Sequence, residues 1–223
     1  MSRVFDPVLR NLRELALRMG SRSEAILDKA MRSVLARDAS LAAEVRDDDL
    51  EIDRLDVEID NEVLKTLALQ APVAEDLREV VAIKMIANDL ERVGDLARNI
   101  AKSAKRLSRH QLTVIPRALR DLARDSQSQL SAALNAFGDT DAETARAVLK
   151  DDETIDAEED VVVLAALQAI SEDPDHASEA VDMILIAKHL ERVADHATNI
   201  AESVILVAEA RNVKHAMKLA GGS

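Results

Sequence analysis

The chain reads IANDLERVGDLARNIA from Ile86 to Ala101, and it reads IAKHLERVADHATNIA one hundred residues later, from Ile186 to Ala201. Eleven of the 16 aligned positions are identical, and the identical positions include polar as well as apolar residues. Self-similarity at a fixed spacing is the sequence signature of a structural unit that is used more than once. This pair of segments therefore predicts an internally duplicated fold.

A second pair of segments extends the duplication upstream. The chain reads DASLAAEVRDDDLEID from Asp38 and DAETARAVLKDDETID from Asp141, with eight of 16 positions identical. The offset is 103 residues in this pair and 100 residues in the first pair, so the second copy has lost about three residues between the two segments, as expected of a loop. We predict two repeats, over residues 1–112 and 113–223, each the size of a small domain.

The composition favours helices and excludes several classes of protein. Hydrophobic residues make up 48% of the chain, but Phe5 and Phe137 are the only aromatic ones. Cysteine is absent, which excludes disulfides and thiolate metal sites. The net charge of −13 and the lack of a basic stripe argue against a nucleic-acid ligand.

Hydropathy gives no indication of a membrane segment. The longest apolar run has seven residues, from Val161 to Leu167, and the N-terminal MSRVFDPVL lacks the apolar core of a signal peptide. We therefore expect no membrane insertion and a cytoplasmic protein.

Prolines and a glycine divide the chain into helices. Pro7, Pro72, Pro116 and Pro174 each lie where a helix could begin, and Gly138 interrupts the chain after Phe137. The predicted helices are 5–36, 39–69, 73–109, 115–137, 140–170 and 175–215. Short connections between long helices predict antiparallel neighbours. The expected fold is all-α, with six long helices that form two homologous antiparallel three-helix bundles.

The repeated segment has one apolar and one polar face at about 100° per residue. The apolar positions form a core stripe, which comprises Ile86, Leu90, Val93, Ala97, Ile100 and Ala104. Glu91, Asp95 and Asn99 follow one another at i, i+4 and i+8, away from that stripe. They are therefore predicted to lie on the flank or outer surface of the third helix.

The helix before it carries a second row of carboxylates. This row, at i, i+4, i+7 and i+11, consists of Asp49, Asp53, Asp56 and Asp60. It lies beside an apolar stripe made of Ile52, Leu55, Ile59 and Val63. The counterparts of the row in the second repeat are Asp152, Asp156 and either Glu159 or Asp160.

Two interpretations of these rows remain open from spacing alone. Like charges four residues apart destabilise a helix by a few tenths of a kcal/mol, so cations are expected to offset them. Carboxylate oxygens without cysteine suit hard cations such as Mg²⁺, Mn²⁺, Ca²⁺ or ferric iron. A row of acids is also typical of an ordinary solvated face, and Arg92 and Arg192 could pair with it.

The doubled motif LERV-x-D-x-A-x-NIA, with Asp-x-x-x-Asp ahead of each copy, resembles the PhoU family of phosphate-transport regulators. The resemblance covers nearly the whole chain. It implies two three-helix bundles with metal clusters, of iron or zinc, on carboxylate motifs at the protein surface, and Mg²⁺ or Mn²⁺ would suit the same ligands. The metal ligands carried over by position are Asp49, Asp53, Glu91 and Asp95 in the first repeat and Asp152, Asp156, Glu191 and Asp195 in the second.

The resemblance also implies a function. PhoU-like proteins connect the phosphate ABC transporter, through its ATPase subunit PstB, to the sensor kinase PhoR, and they hold phosphate uptake and the starvation response off when phosphate is ample. On this basis we expect an indirect transcriptional regulator in the cytoplasm, brought to the inner membrane by its partners. A homodimer is compatible with this reading.

Catalysis is not indicated by any motif. The sequence contains neither a phosphate-binding loop of the GxxxxGK[ST] type nor a GxSxG elbow. None of its five histidines has a glutamate three residues before it, as ferritin-like di-iron bundles require. His189 and His196 are expected to be surface residues rather than metal ligands. Two alternatives remain: a PhoU-like metal-binding regulator of another transporter, and a carboxylate-bridged metal storage or oxidase bundle.

Overall fold

The computed structural model describes residues 6–110 and 114–214. Over these residues the chain forms six α-helices and one 3₁₀ turn, with no strand. The helices are α1 (Asp6–Ala36), α2 (Ala39–Gln70), α3 (Ala74–Leu107), α4 (Arg117–Asp139), α5 (Ala142–Glu172) and α6 (Ala177–Glu209). The 3₁₀ turn, Pro174–His176, leads directly into α6.

The turn after α1 and the turn after α4 are copies of one another. Arg37 and Thr140 adopt the left-handed conformation, with φ of 53° and 54°. The next residue is an aspartate in both turns, and its side chain accepts hydrogen bonds from two backbone N–H groups of the following helix. Aspartate is a favoured N-cap because it satisfies donors that have no partner within the helix. The equivalent residues Asp38 and Asp141 therefore start α2 and α5 in the same way.

The six helices pack as two antiparallel three-helix bundles, α1–α3 and α4–α6. The apolar stripe of α3 is fully buried, as its spacing predicts, and Ile52, Leu55 and Ile59 of α2 are buried against it. The predicted fold class is confirmed. Burial of each Ile, Leu or Val side chain in these stripes contributes about 1.5–3 kcal/mol, so the core stripes are what hold the long helices side by side.

The two bundles are joined through α3 and α6, which pack against each other, and through a smaller contact between α1 and α4. Gly20 of α1 lies at that smaller contact: a Cβ on it would come within 2.6 Å of Leu134 Cδ2 on α4. This close approach explains a glycine in the middle of a long helix, where it otherwise costs about 1 kcal/mol.

The predicted helices agree with the structure except at some of their ends. Helix α6 ends at Glu209 rather than near 215, because Ala210 turns left-handed with φ of 53°. Pro72 lies two residues before α3 rather than at its first turn. The predicted repeat boundary at 112/113 falls outside the described residues and stays a prediction.

None of the helices over the described ranges has the length and apolar character needed to cross a bilayer.

Candidate functional site

The first carboxylate cluster, defined as Asp49, Asp53, Glu91 and Asp95, lies along the groove between α2 and α3. Asp53 is exposed, whereas Glu91 and Asp95 are partly buried at the edge of the groove. Asp53, Glu91 and Asp95 lie beside the apolar stripes of the two helices rather than in the core, whereas Asp49 is buried. The structure therefore brings the two predicted rows face to face.

Asp49 departs from the prediction of a surface row, because its side chain is only 3% exposed. The reason lies on the opposite helix. Residue 94 is glycine, and a Cβ there would come within 2.9 Å of Asp49 Oδ1 and 3.1 Å of Ile52 Cδ1. The missing side chain makes room for the carboxylate between α2 and α3.

Arg98 pairs with the first carboxylate cluster. Its guanidinium donates to Asp49 Oδ2 across the groove and to Asp95 Oδ1 on its own helix. Arg92 Nη1 donates to Asp95 Oδ2 at 3.1 Å, from the solvent side. Charge-assisted bonds of this kind are the stronger class of hydrogen bond. Two arginines thus partly neutralise the cluster.

The electrostatics show that the four carboxylates influence one another. Burial raises the pKa of Glu91, and the neighbouring Asp95 raises it further, while Arg92 opposes both effects. Burial likewise raises the pKa of Asp49, against the opposing effect of Arg98. Asp53 adds to the rise in both cases. The first carboxylate cluster is therefore a place where added positive charge is favourable.

The second carboxylate cluster, defined as Asp152, Asp156, Glu191 and Asp195, lies between α5 and α6. Burial raises the pKa of Glu191, followed by the repulsion of Asp195, and Lys188 opposes the rise. Lys188 Nζ also donates to Glu159 Oε2 at 2.7 Å. Asp152 differs from the rest of the cluster because it faces Gln129 of α4, whose Nε2 lies 3.5 Å from its Oδ1.

The two clusters differ at one position in particular. Thr198 stands in the second repeat where Arg98 stands in the first. Its hydroxyl donates to the backbone carbonyl of Asp195 at 2.7 Å, a bond within its own helix. The second repeat thus lacks an arginine at the position from which Arg98 bridges α2 and α3.

The donor set of both clusters consists of carboxylate oxygens, which fits a hard cation in chemical type. Glu159, which is 3% exposed beside the second cluster, has a buried Oε1 with no hydrogen-bond partner among the described residues. Within the described ranges, no three histidine or carboxylate side chains converge closely enough to hold a metal ion as they stand. Binding would therefore require side chains such as Arg98 to rotate away.

His189 and His196, expected at the surface, are both half-buried. His196 Nδ1 lies 2.8 Å from Asp89 Oδ1, and Asn199 Nδ2 donates to the same oxygen at 3.2 Å, so the three side chains connect α6 to α3. Burial lowers the pKa of His189, and nearby Arg192 lowers it further. A cross-repeat comparison could have drawn attention to this interface, because Asp89 and His189 occupy equivalent positions.

A duplicated bundle of six long helices, with a carboxylate cluster in one groove of each half, defines a class of two-repeat helical proteins. The family model of the PhoU domain matches this chain twice, over residues 16–104 and 119–204. The chain belongs to the PhoU family, as its doubled motif indicates.

Relatives and solved structures agree with this assignment over nearly the full chain. The phosphate-specific transport system accessory protein PhoU homolog of Pseudomonas aeruginosa is 33% identical over 218 residues, which are 96% of this chain and 89% of that protein. The homolog of the same name from Clostridium acetobutylicum is 31% identical over 212 residues, which are 95% of this chain and 97% of that protein.

Two crystal structures share the fold. That of PhoU from Pseudomonas aeruginosa matches with a TM-score of 0.89 at 33% identity, covering 93% of this chain and 100% of that one. That of the phosphate transport system regulatory protein PhoU from Streptococcus pneumoniae matches with a TM-score of 0.87 at 27% identity, covering 94% and 99%.

Proposed function

We propose that this protein is a regulatory accessory subunit of a phosphate transport system, which restrains uptake and keeps the phosphate-starvation response off when phosphate is ample. The observation that carries the proposal is the match to the PhoU domain in both halves, together with relatives named phosphate-specific transport system accessory protein PhoU homolog. Its partners in this role would be the ATPase subunit of the transporter, of the PstB type, and a sensor kinase of the PhoR type.

Metal ions bound at the two carboxylate clusters form the second part of the proposal. The residues that would hold them are Asp49, Asp53, Glu91 and Asp95 in the first repeat and Asp152, Asp156, Glu191 and Asp195 in the second. A bound cation would supply positive charge that offsets the mutual repulsion of the acids, which is what raises the pKa of Glu91 and of Glu191 after burial itself. Iron, zinc, Mg²⁺ and Mn²⁺ are the ions to test.

The regulatory role is tested with a phosphate-starvation reporter in a strain that lacks this gene, grown in ample phosphate. We expect the reporter to be on in the deletion strain and off again when the gene is restored. A reporter that stays off in the deletion strain would contradict the role in phosphate signalling, and it would favour a PhoU-like regulator of another transporter.

Metal binding is tested by removing the carboxylates of α3 and α6. The variant carries Glu91→Gln, Asp95→Asn, Glu191→Gln and Asp195→Asn. A matched control makes the same change in charge at exposed acids outside the clusters, with Glu14→Gln, Asp28→Asn, Asp139→Asn and Glu172→Gln. We expect the wild type and the control to bind added Mn²⁺ or Fe³⁺ in calorimetry, and the cluster variant to lose that binding with unchanged helicity. Equal binding by all three proteins would refute the assigned site.

A further inference from the structure

A cavity lies next to the first carboxylate cluster, in the groove between α2 and the C-terminal half of α3. It has a volume of about 700 Å³. Small side chains form much of its lining, namely Ala42, Ala43 and Ala101, with Leu50 beside them. Cavities of about 300–1,000 Å³ are the usual size of sites for small organic ligands.

The remaining lining of this cavity is mainly basic. Arg46, Arg98, Lys102 and Lys105 line it, against two acids, Asp47 and Asp49. The local excess of positive charge stands out in a chain whose net charge is −13. Asp49 is moreover already engaged by Arg98. The cavity therefore offers an anion a favourable local environment on an acidic protein.

Two of the four cations are available for a ligand as they stand. Arg46 and Lys105 are exposed, and the side chain of neither makes a hydrogen bond or ion pair with any described residue. Lys102 donates to Asn99 Oδ1 on its own helix at 2.9 Å. Of the four cations, only Arg98 forms ion pairs with carboxylates. An anion could therefore contact Arg46 and Lys105 without breaking an existing ion pair.

The excess of positive charge in this lining belongs to the first repeat, because the equivalent positions of the second repeat carry two cations, Arg146 and Lys150, against three acids, Asp152, Glu153 and Glu202. The positions equivalent to the four cations carry residues without positive charge in the second repeat, namely Leu149, Thr198, Glu202 and Ile205. The basic groove therefore does not belong to the part of the sequence that the two repeats share. An ordinary solvated helix face would not be expected to place four cations around one cavity in one repeat and none at the four equivalent positions of the other.

We infer that this basic groove binds a small polyanion built on a chain of phosphate groups. Arginine and lysine are the side chains that proteins use for such ligands, arginine through its fork of donors and lysine as a point charge. The apolar lining gives a nucleoside moiety a surface to lie on, whereas an inorganic oligophosphate would use the cations alone. This site lies beyond the proposed metal function, and the only residue of the first carboxylate cluster that lines it is Asp49, next to the arginine Arg98 that pairs with that cluster.

The test compares two variants of the full chain that have the same net charge. The groove variant carries Arg46→Gln and Lys105→Gln. The control carries Arg18→Gln and Arg120→Gln, at exposed positions on other helices that do not line the cavity. Binding of ATP, tripolyphosphate, adenosine and a hexaglutamate peptide is measured by calorimetry in metal-free buffer at low salt. Circular dichroism checks that both variants remain helical.

We expect one ATP or tripolyphosphate per chain, a loss of affinity of at least tenfold in the groove variant, and a change of less than twofold in the control. Tighter binding of ATP than of tripolyphosphate would assign the ligand to nucleotides, and equal binding would assign it to inorganic oligophosphates. The inference is overturned if neither phosphate compound binds, if adenosine binds as well as ATP, if hexaglutamate alone binds, or if both variants lose affinity equally.

Discussion

Gly94 of α3 faces Asp49 of α2 so closely that a Cβ on residue 94 would lie 2.9 Å from the carboxylate oxygen Oδ1. The second repeat has Ala194 and Asp152 at the equivalent positions, and there the aspartate is less buried and faces Gln129 of α4 instead. The two arrangements of the motif thus differ by one methyl group at this position and by Arg98 against Thr198. The glycine places Asp49 inside the groove, where Arg98 reaches it.

Gly94→Ala is expected to destabilise the protein by about 1 kcal/mol. Alanine gains up to about 1 kcal/mol in helix propensity, but overpacking a filled groove costs about 1–3 kcal/mol, and both Asp49 and Ile52 are buried and held in place. Urea denaturation followed by circular dichroism measures the change, since the chain has no Trp or Tyr to report by fluorescence.

Gly138→Ala is the control for that substitution. A Cβ on residue 138 would meet only Leu17 Cδ2, at an ordinary 3.8 Å, so the gain in propensity should appear as a stabilisation of a few tenths to about 1 kcal/mol. If both variants are more stable than the wild type, the groove beside Gly94 has space for an additional methyl group and the predicted overpacking is contradicted.

Arg98→Thr is expected to raise the affinity of the first carboxylate cluster for Mn²⁺ by about tenfold or more. The arginine holds Asp49 and Asp95 as an internal cation, so a metal ion must displace it, whereas threonine leaves both carboxylates to the metal. The mirror variant, Thr198→Arg, should weaken binding at the second cluster. Calorimetric titration of the metal-free proteins checks both, and isotherms identical to the wild type would show that Arg98 does not compete.

Asp89→Ala is expected to destabilise the protein by about 2 kcal/mol. Asp89 is 8% exposed, and its removal leaves His196 and Asn199 without the acceptor that joins α6 to α3. Loss of one partner of a buried polar pair costs more than the pair contributes, because the other group remains desolvated. Asn88→Ala, at the exposed neighbouring position, should change stability by less than about 0.5 kcal/mol. Equal effects of the two substitutions in urea denaturation would contradict a structural role for the α3–α6 network.

The sequence predicts those parts of the structure that depend on neighbours along the chain. Periodicity identifies the buried stripe of α3, and the duplicated aspartates Asp38 and Asp141 mark the starts of α2 and α5. It also predicts that the carboxylate rows of α2 and α3 lie on helix flanks. It could not predict the burial of Asp49, because the space for that side chain comes from Gly94 on another helix.

Periodicity could not predict the contacts between the two repeats either. A helical wheel places His196 beside Asp195 on α6 but says nothing about what α3 presents to it. The bond from His196 to Asp89 depends on how the bundles pack, and so does the desolvation that lowers the pKa of His189. Differences between equivalent positions were the one available signal: Gly94 against Ala194, Asp89 against His189 and Arg98 against Thr198 mark the places where the repeats differ in structure.

Glu158→Gln is expected to stabilise the protein at pH 8 and to have no effect near pH 4. The expected gain is about 1 kcal/mol, because solvent screening reduces the energy that corresponds to the full pKa shift. Burial, followed by the hydrogen bond and repulsion of Asp125 on α4, raises the pKa of Glu158 from 4.5 to about 7. The folded protein therefore keeps a proton that the unfolded chain releases above pH 4.5, so this contribution to stability is lost as the pH rises through 7. Glutamine imitates the protonated acid at every pH. Exposed Glu153→Gln on the same helix is the control in urea denaturation, and a gain for Glu158→Gln that does not vary between pH 4 and pH 8 would contradict the raised pKa of Glu158.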